Sequence, residues 1–191
     1  MRKLTSFLHV SLDGYVQGTQ DWDLNWIPYD GEMAAYADET VSTADTVLWG
    51  RSTYQGMQEY WTTVPGNPEA TEHDKKHAEW INKAHKVVFS STLEKAEWNN
   101  STLVKDNAAQ AVLELKQQTG QDMVILGSPR FTRGLIQLGL IDEFRLNVAP
   151  VVLGQGLPLF EDMKDQIDLE LVSNKTFRNG VVGLIYRPKK S

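Results

Sequence analysis

The alternation of apolar and polar residues divides the chain into short strands and longer helices. Over Leu4–Leu12 apolar residues recur at every second position, which predicts a central strand. Short apolar runs before Gly50, over Lys86–Phe89 and over Met123–Leu126 predict buried strands, because a strand covered on both faces needs no polar side. Apolar residues at helical spacing predict helices over Gly31–Val41, after Gly50, over Glu72–Ala84, from Asp106 or Asn107 to Gln118, and from Pro129 to Gly139.

The order of these segments favours an α/β fold. Strands that alternate with helices are typical of a parallel sheet covered by helices. The last part of the chain differs, because Leu169–Phe177 and Val181–Tyr186 flank Asn179-Gly180, and Asn-Gly is the strongest short signal for an antiparallel hairpin. We therefore expect a three-layer α/β fold, in which helices flank a mainly parallel mixed sheet that ends in a C-terminal antiparallel hairpin. We expect residues 1–191 to form it as a single domain.

Composition excludes several classes of protein. The net charge of −6 and a pI near 5.2 argue against a nucleic-acid or anionic-membrane surface, which would need a basic face. Disulfides, thiolate zinc sites and cysteine nucleophiles are excluded because the chain has no cysteine. The first residues are too polar for a signal peptide, and no apolar run approaches membrane-spanning length. We expect a cytoplasmic protein that acts on a small molecule.

The first candidate site is the junction at Gly50. A buried strand that ends in glycine and leads into a helix leaves free backbone N–H groups at the positive end of the helix dipole, which favours an anion. Arg51 adds a forked donor suited to phosphate, and Ser52 or Thr53 can cap the helix or donate a hydroxyl. The alternative is a tight turn at Gly50 with a solvated Arg51.

A second junction has the same pattern. Met123–Leu126 leads into Gly127 and Ser128, and Pro129 after Ser128 predicts a helix that begins there with Ser128 as its cap. Two such junctions in one chain favour a dinucleotide. After another strand, Ser90 and Ser91 offer hydroxyls without an acidic residue that would bind a free ribose hydroxyl, which favours a cofactor phosphorylated there. The candidate cofactor contacts are therefore Gly50, Arg51, Ser52, Thr53, Ser90, Ser91, Gly127, Ser128, Arg130 and Phe131.

The candidate substrate side lies around the end of the first strand. Asp13 follows that strand, where open α/β sheets bind ligands, and it could orient a ring or relay a proton. The alternative is a turn with Gly14. The long loop Gln17–Tyr29 is either a lid or an anchored segment. The aromatic residues that we expect to contact a flat substrate are Tyr15, Trp22, Trp26, Trp49 and Tyr54.

A metal site is not expected from the sequence. His73 and His77 are spaced to lie on one face of a helix, as zinc ligands often do. A competent site needs at least three protein ligands, and no third ligand lies in an obvious register. Packing of these histidines beside Trp80 is therefore the favoured interpretation.

Five segments in order resemble the dihydrofolate reductase-like superfamily. The closer similarity is to the branch related to the C-terminal reductase domain of bifunctional riboflavin-biosynthesis enzymes. The resemblance covers nearly the whole chain. The segments are SLDG at 11–14, WGRSTYQGM at 49–57, VVFSST at 87–92, ILGSPRFTRGLI at 125–136 and GLIDEFRLNVAPVVLGQGLPLF at 139–160.

The resemblance implies an NADPH cleft at the strand ends and a reductase of a flat heterocycle, similar to 5-amino-6-(5-phosphoribosylamino)uracil reductase. It assigns phosphate contacts to Gly50–Thr53, adenosine contacts to Ser90 and Ser91, and a glycine turn to Gly127. Many members carry a second glycine where this chain has Ser128, and often a basic residue where it has Tyr15. The alternatives are a dihydrofolate or pterin reductase, in which Glu32 or Asp38 approximates the protonating acid, and a non-catalytic NADPH-binding module. A homodimer formed through the apolar segment 150–160 and the last strands is also expected.

Overall fold

The computed structural model describes residues 1–189, and over that range it contains a mixed eight-stranded sheet and a separate strand pair. The order in the large sheet is β5-β4-β3-β6-β1-β7-β10-β9, and β2 pairs with β8. The strands are β1 Leu4–Ser11, β2 Tyr15–Gln17, β3 Ala44–Gly50, β4 His85–Phe89, β5 Ser101–Val104, β6 Asp122–Leu126, β7 Glu143–Ala149, β8 Leu157–Pro158, β9 Leu169–Thr176 and β10 Val182–Pro188.

Strand direction brings the candidate site residues to one edge of the sheet. β1 pairs in parallel with β6 and β7, and β3 pairs in parallel with β4 and β6. β10 runs antiparallel to both β7 and β9. The carboxyl ends of β1, β3, β4, β6 and β7 therefore meet on the same side, where such sheets bind ligands.

Helices cover both faces of the sheet. Residues of α1, α2 and α3 share one apolar core with Phe7, Trp49 and Val124, and residues of α4 and α5 share the other with Leu8 and Ile125. Within residues 1–189 no helix is long and apolar enough to cross a membrane. The helices are α1 Gly31–Val41, α2 Arg51–Trp61, α3 Glu72–Lys83, α4 Ala108–Gln117 and α5 Pro129–Gln137.

The element boundaries agree closely with the sequence pattern, with two kinds of exception. β1 ends at Ser11, and Leu12 is 68% exposed because its N–H donates to the Val151 carbonyl outside the sheet. The short strands β2, β5 and β8 were not predicted. Each has only two to four residues, which is too short for a periodic pattern to be visible.

A buried lysine closes the end of α3. Lys86 lies on β4 with no exposed surface, and its Nζ donates to the carbonyl oxygens of Ile81 (2.7 Å) and Ala84 (2.9 Å). The ammonium group also lies 4.8 Å from the ring centre of Trp98. Because helix ends leave carbonyl groups without partners, this side chain satisfies the C-terminus of α3 from the neighbouring strand.

Candidate active site

The starts of α2 and α5 converge on one point. The Gly50 N–H donates to Ser128 Oγ over 2.9 Å, so the two junctions predicted as separate anion sites are adjacent. Neither helix has a side-chain cap. Ser128 occupies the predicted N-cap position of α5, but its hydroxyl accepts from Gly50 instead of capping its own helix. The N-cap residue of α2 is Gly50, so the capping alternative for Ser52 or Thr53 is wrong. No side chain caps the backbone N–H groups in the first turns of the two helices, which in α5 start at Arg130 because Pro129 has no N–H, and such groups favour an anion.

The fold itself does not require glycine at position 50. Gly50 has φ −76°, which any residue adopts, and an added Cβ would have Phe131 Cβ and Ser128 Oγ as neighbours, both at 3.5 Å. These are ordinary van der Waals contacts, so the folded chain leaves room for a methyl group at position 50. At the other junction, Gly127 and Ser128 have positive φ angles of +67° and +51°. This conformation is sterically unfavourable for Ser128 and would not be for glycine.

Arg51 and the serine-rich turn after β4 are in contact. Arg51 Nη1 donates to Thr92 Oγ1 over 2.8 Å, and Ser90 Oγ accepts the Leu93 N–H over 3.0 Å. Ser91 is exposed beside them. The guanidinium group and the hydroxyls, which are far apart in sequence, thus form a single donor-rich surface next to the start of α2. Such a surface suits a phosphate group.

Phe131 connects the serine-rich turn after β4 to the start of α5. Its ring stacks on Phe89 with the ring centres 4.6 Å apart and an angle of 24° between the planes. Arg130 lies beside it in the first turn of α5. The contact joins the end of β4 to the start of α5, so the serine turn and the Gly127–Ser128 junction are held in a fixed relation.

The Asp13 carboxylate holds a neighbouring loop. Its carboxylate accepts hydrogen bonds from Ser11 Oγ (2.7 Å) and from the backbone N–H groups of Leu153 (3.0 Å) and Gly154 (2.7 Å). The Ser11 hydroxyl and these backbone bonds lower the pKa of Asp13 to about 2. Asp13 is therefore ionised at neutral pH and holds the Leu153–Gly154 loop, and its role as a proton relay stays a prediction.

We expect Asp13→Asn to detach the 150–160 segment locally. Leu153 and Gly154 donate to different oxygens of Asp13, so the amide nitrogen of asparagine would face one of these backbone N–H donors where an acceptor is needed. The stability that the Asp13 carboxylate provides, which is present above about pH 4, would also be absent from the mutant at neutral pH. Hydrogen exchange should show faster exchange at Leu153 and Gly154, by about 10-fold or more if one charged hydrogen bond is lost. Unchanged protection in Asp13→Asn would contradict this anchoring role, and Asp21→Asn, in the exposed loop, is the matched control.

The expected substrate aromatics fall into two groups. Trp49 and Tyr54 are fully buried: Trp49 Nε1 donates to the Leu126 carbonyl, and the Tyr54 hydroxyl accepts the Trp98 N–H. Since neither ring has a free surface, the prediction that they contact a substrate is corrected, and they are core residues. Tyr15 and Trp26 are partly buried at the loop beside β1, and the Trp26 Nε1 donates to the Asp23 carbonyl.

Trp22 packs the long loop onto α2. The Trp22 side chain is 47% exposed, and a Cβ added at Gly56 would lie 2.4 Å from its Cζ2. Trp22 itself has a positive φ of +63°, which is uncommon outside glycine. Because Gly56 has no side chain, the Trp22 ring can pack directly against α2. The same helix that begins at the anion site also supports the loop over the substrate side.

Two polar residues that sequence reasoning did not select lie side by side on β1 and β7. His9 on β1 is opposite Asn147 on β7, and among residues 1–189 neither His9 Nδ1 nor the side-chain amide of Asn147 has a hydrogen-bond partner. Burial lowers the pKa of His9 to about 4, so the ring is neutral. The Tyr29 ring lies 5.9 Å from it. The signal was present in the alternation of β1, which placed His9 and Ser11 on one face.

The two approximate acid candidates are occupied by other contacts. Glu32 Oε2 accepts the Arg178 N–H over 3.1 Å at the end of the C-terminal hairpin. Asp38 lies opposite α3, with Oδ1 3.1 Å from His73 Nδ1 and Oδ2 3.4 Å from Lys76 Nζ. These contacts of Glu32 and Asp38 are thus with the C-terminal hairpin and α3, and none is with the candidate anion site at the starts of α2 and α5.

Sequence comparison gives the family of the chain. Residues 2–183 match the sequence model of the RibD C-terminal domain. The chain belongs to this family. A relative, the uncharacterized protein YyaP of Bacillus subtilis (strain 168), is 34% identical over 185 residues, which is 97% of this chain and 94% of YyaP.

Two solved structures extend the likeness to the fold. The putative riboflavin biosynthesis protein from Shewanella sp. PV-4 has a TM-score of 0.75 at 18% identity, covering 98% of this chain and 99% of that one. Dihydrofolate reductase from Enterococcus faecalis, complexed with NADP(H) and RAB-propyl, has a TM-score of 0.61 at 14% identity, covering 98% and 97% of the two chains. The predicted superfamily, its riboflavin branch and the mainly parallel mixed sheet are confirmed.

Proposed function

We propose that this member of the RibD C-terminal domain family is an NADPH-dependent reductase of a flat heterocyclic substrate. The observation that carries the proposal is the convergence of the uncapped starts of α2 and α5, joined by the hydrogen bond from Gly50 to Ser128. Free backbone N–H groups, two helix dipoles and Arg51 then favour the negative charge of a phosphorylated cofactor at the same place.

The proposed cofactor contacts divide along the cleft. Gly50–Thr53 would hold phosphate with backbone groups and Arg51, while Ser90 and Ser91 would lie at the adenosine end. Gly127, Ser128, Arg130 and Phe131 would line the other side. When bound, the cofactor supplies the hydride, so the protein need only bind, orient and exclude water.

The proposed substrate side is the region of β1 and β7 under the Gln17–Tyr29 loop. The unpaired polar atoms of His9 and Asn147 support a substrate that carries both hydrogen-bond donors and acceptors, because buried polar groups without partners are costly. Tyr15, Trp22 and Trp26 would cover its flat face. An aminouracil ribosyl phosphate has this chemistry, and dihydrofolate or a pterin is the alternative.

An NADPH-oxidation assay tests the reaction. The panel consists of the aminouracil ribosyl phosphate of the riboflavin pathway, dihydrofolate, simple pterins and quinones. Turnover of one heterocycle at more than background rate is the expected result. Tight NADPH binding with no turnover of any compound would instead support a binding module that retains only the fold.

Arg51→Ala should weaken NADPH binding by about 10- to 150-fold. The corresponding loss is about 1.5–3 kcal/mol, as for one hydrogen bond to a charged group. NADH binding should change less if Arg51 contacts the phosphate that distinguishes the two cofactors. Titration of protein fluorescence measures both constants. Arg178→Ala is the control because that side chain is 93% exposed near Glu32, and an equal effect of both variants would contradict the assignment.

We also propose that the protein forms a homodimer through the 150–160 segment and the last strands. β9 is an edge strand of the sheet, with Leu171 (48%) and Val172 (42%) exposed. Val152 and Phe160 are exposed in the 150–160 segment. An exposed edge strand with apolar side chains favours pairing with another chain. Light scattering at micromolar concentration should therefore give the mass of a dimer, and a monomer would contradict the proposal.

A further inference from the structure

A cluster of potential metal ligands lies between α1 and α3, away from the anion site. Asp38 on α1 faces His73 and His77 on α3, and one ligand atom from each of the three side chains lies within 4.8 Å of the others. The sequence offered only the two histidines. The third ligand was not visible there because it comes from a different helix, and only packing of α1 on α3 brings it into position.

The separation of the first two ligand atoms already fits a metal. His73 Nδ1 and Asp38 Oδ1 are 3.1 Å apart, yet they are not aligned as a hydrogen bond. In a tetrahedral zinc site with bonds of about 2.0–2.1 Å, neighbouring ligand atoms lie about 3.3 Å apart and point to a common centre rather than at each other. The observed separation is therefore close to that between two ligands of one zinc ion.

Both imidazole rings are held in orientation by their neighbours. His73 Nε2 lies 3.3 Å from the Tyr29 hydroxyl, and donation from Nε2–H leaves the lone pair of Nδ1 free. A hydrogen bond of this kind on the distal nitrogen is characteristic of metal-bound histidine. The His77 ring packs against Trp61 and Trp80, with ring centres 4.4 and 5.4 Å away. Its buried Nδ1 has no hydrogen-bond partner within the described part of the chain.

We propose that Asp38, His73 and His77 bind a divalent zinc-type ion that links α1 to α3. Two imidazoles and one carboxylate suit Zn²⁺ and leave a fourth position for water. Of the nearby charges, Lys76 Nζ lies 3.4 Å from Asp38 Oδ2 on an exposed side chain that can move away. The Asp74 carboxylate is occupied by the capping box with Thr71, so it does not compete for the ion.

Zinc binding to the full chain, after removal of metals with a chelator, tests the proposal. Calorimetry should show one Zn²⁺ per chain, and Co²⁺ should give the visible absorption of a tetrahedral site. At 100 times the dissociation constant, Zn²⁺ should raise the Tm by about 5–10 °C. Asp38→Asn and His77→Phe preserve side-chain volume, and each should weaken Zn²⁺ binding by about 100-fold or more.

The control is His85→Ala, which removes a histidine bonded to Thr102 on another part of the sheet. Wild-type and His85→Ala proteins should bind Zn²⁺ equally. The proposal is overturned if Asp38→Asn and His77→Phe, with unchanged circular dichroism, bind Zn²⁺ as tightly as the wild type. It is also overturned if His85→Ala weakens binding as much as they do. NADPH binding is not part of the readout, so this result is independent of the proposed reductase function.

Discussion

Gly50→Ala is expected to weaken NADPH binding by about 100-fold or more while the free energy of unfolding changes by less than about 1 kcal/mol. A methyl group between the backbone and a bound phosphate costs about 1–3 kcal/mol, and each displaced charged hydrogen bond costs about 1.5–3 kcal/mol. The folded protein itself accommodates the methyl group, because its nearest neighbours would be at 3.5 Å. Alanine is a poorer N-cap residue than glycine, which lowers the free energy of unfolding. Alanine also reduces the conformational entropy of the unfolded chain, which raises the free energy of unfolding, so the two effects oppose each other.

Gly134→Ala is the matched control for this experiment. Gly134 lies within α5, and an added Cβ would have no heavy atom within 4 Å. Gly134→Ala should raise the free energy of unfolding by up to about 1 kcal/mol and leave NADPH binding unchanged. Urea denaturation and fluorescence titration of both variants give the two quantities. If the Gly50→Ala variant binds NADPH as tightly as the wild type, the proposal that the cofactor closely approaches the backbone at Gly50 is contradicted.

Lys86→Ala is expected to lower the free energy of unfolding by about 3–5 kcal/mol. The variant loses three buried methylene groups, at about 0.8 kcal/mol each, and leaves the carbonyl groups of Ile81 and Ala84 without their donor. Lys86→Met keeps most of the apolar volume and removes only the donor, so we expect about half of that loss. Urea denaturation at pH 7 measures both, and a Lys86→Met variant as stable as the wild type would show that the hydrogen bonds contribute nothing.

The same lysine gives a pH dependence with a definite sign. Burial lowers the pKa of Lys86 from 10.5 to about 8. Between these two values the unfolded chain binds more protons than the folded chain, so this group increases stability as the pH rises from 8 to 10.5. Lys86→Met should lack that increase. The difference between the wild-type and mutant stability profiles isolates it from the other titrating groups.

The sequence predicted the sheet better than it predicted the site. Hydrophobic periodicity is a property of each strand or helix separately, so α1 was located at Gly31–Val41 without reference to the rest of the fold. The two junctions at Gly50 and Gly127 were also predicted, because a glycine that follows an apolar run and precedes a helical pattern can be recognised from neighbouring residues alone. The hydrogen bond from Gly50 N–H to Ser128 Oγ, which joins the two junctions, could not be predicted from the spacing of residues in the sequence. It forms because β3 and β6 are neighbours in the sheet.

The errors concern side chains whose surroundings come from distant parts of the chain. Trp49 was expected at the cleft because it precedes Gly50, but alternation cannot tell a strand face that borders a cleft from one that borders a helix. The ring stacks on Trp98 with centres 6.1 Å apart and lies in the core. The sequence shows no partner for the Asp13 carboxylate, because Leu153 and Gly154, which donate to it, follow six strands later in the chain. They come close to it only because β7 lies beside β1 in the sheet.

The position of β1 has a consequence for how the chain is made. β1 lies between β6 and β7, so Leu4 pairs with Met123 and Ser11 pairs with Ala149. During synthesis, β1 therefore leaves the ribosome well before β6 and β7, so both of its edges stay uncovered until those strands have been made. Non-local pairing of this kind slows folding and leaves apolar edges exposed in the meantime. A nascent chain that stalls before β6 presents an unpaired strand, which makes chaperone protection most valuable during that interval.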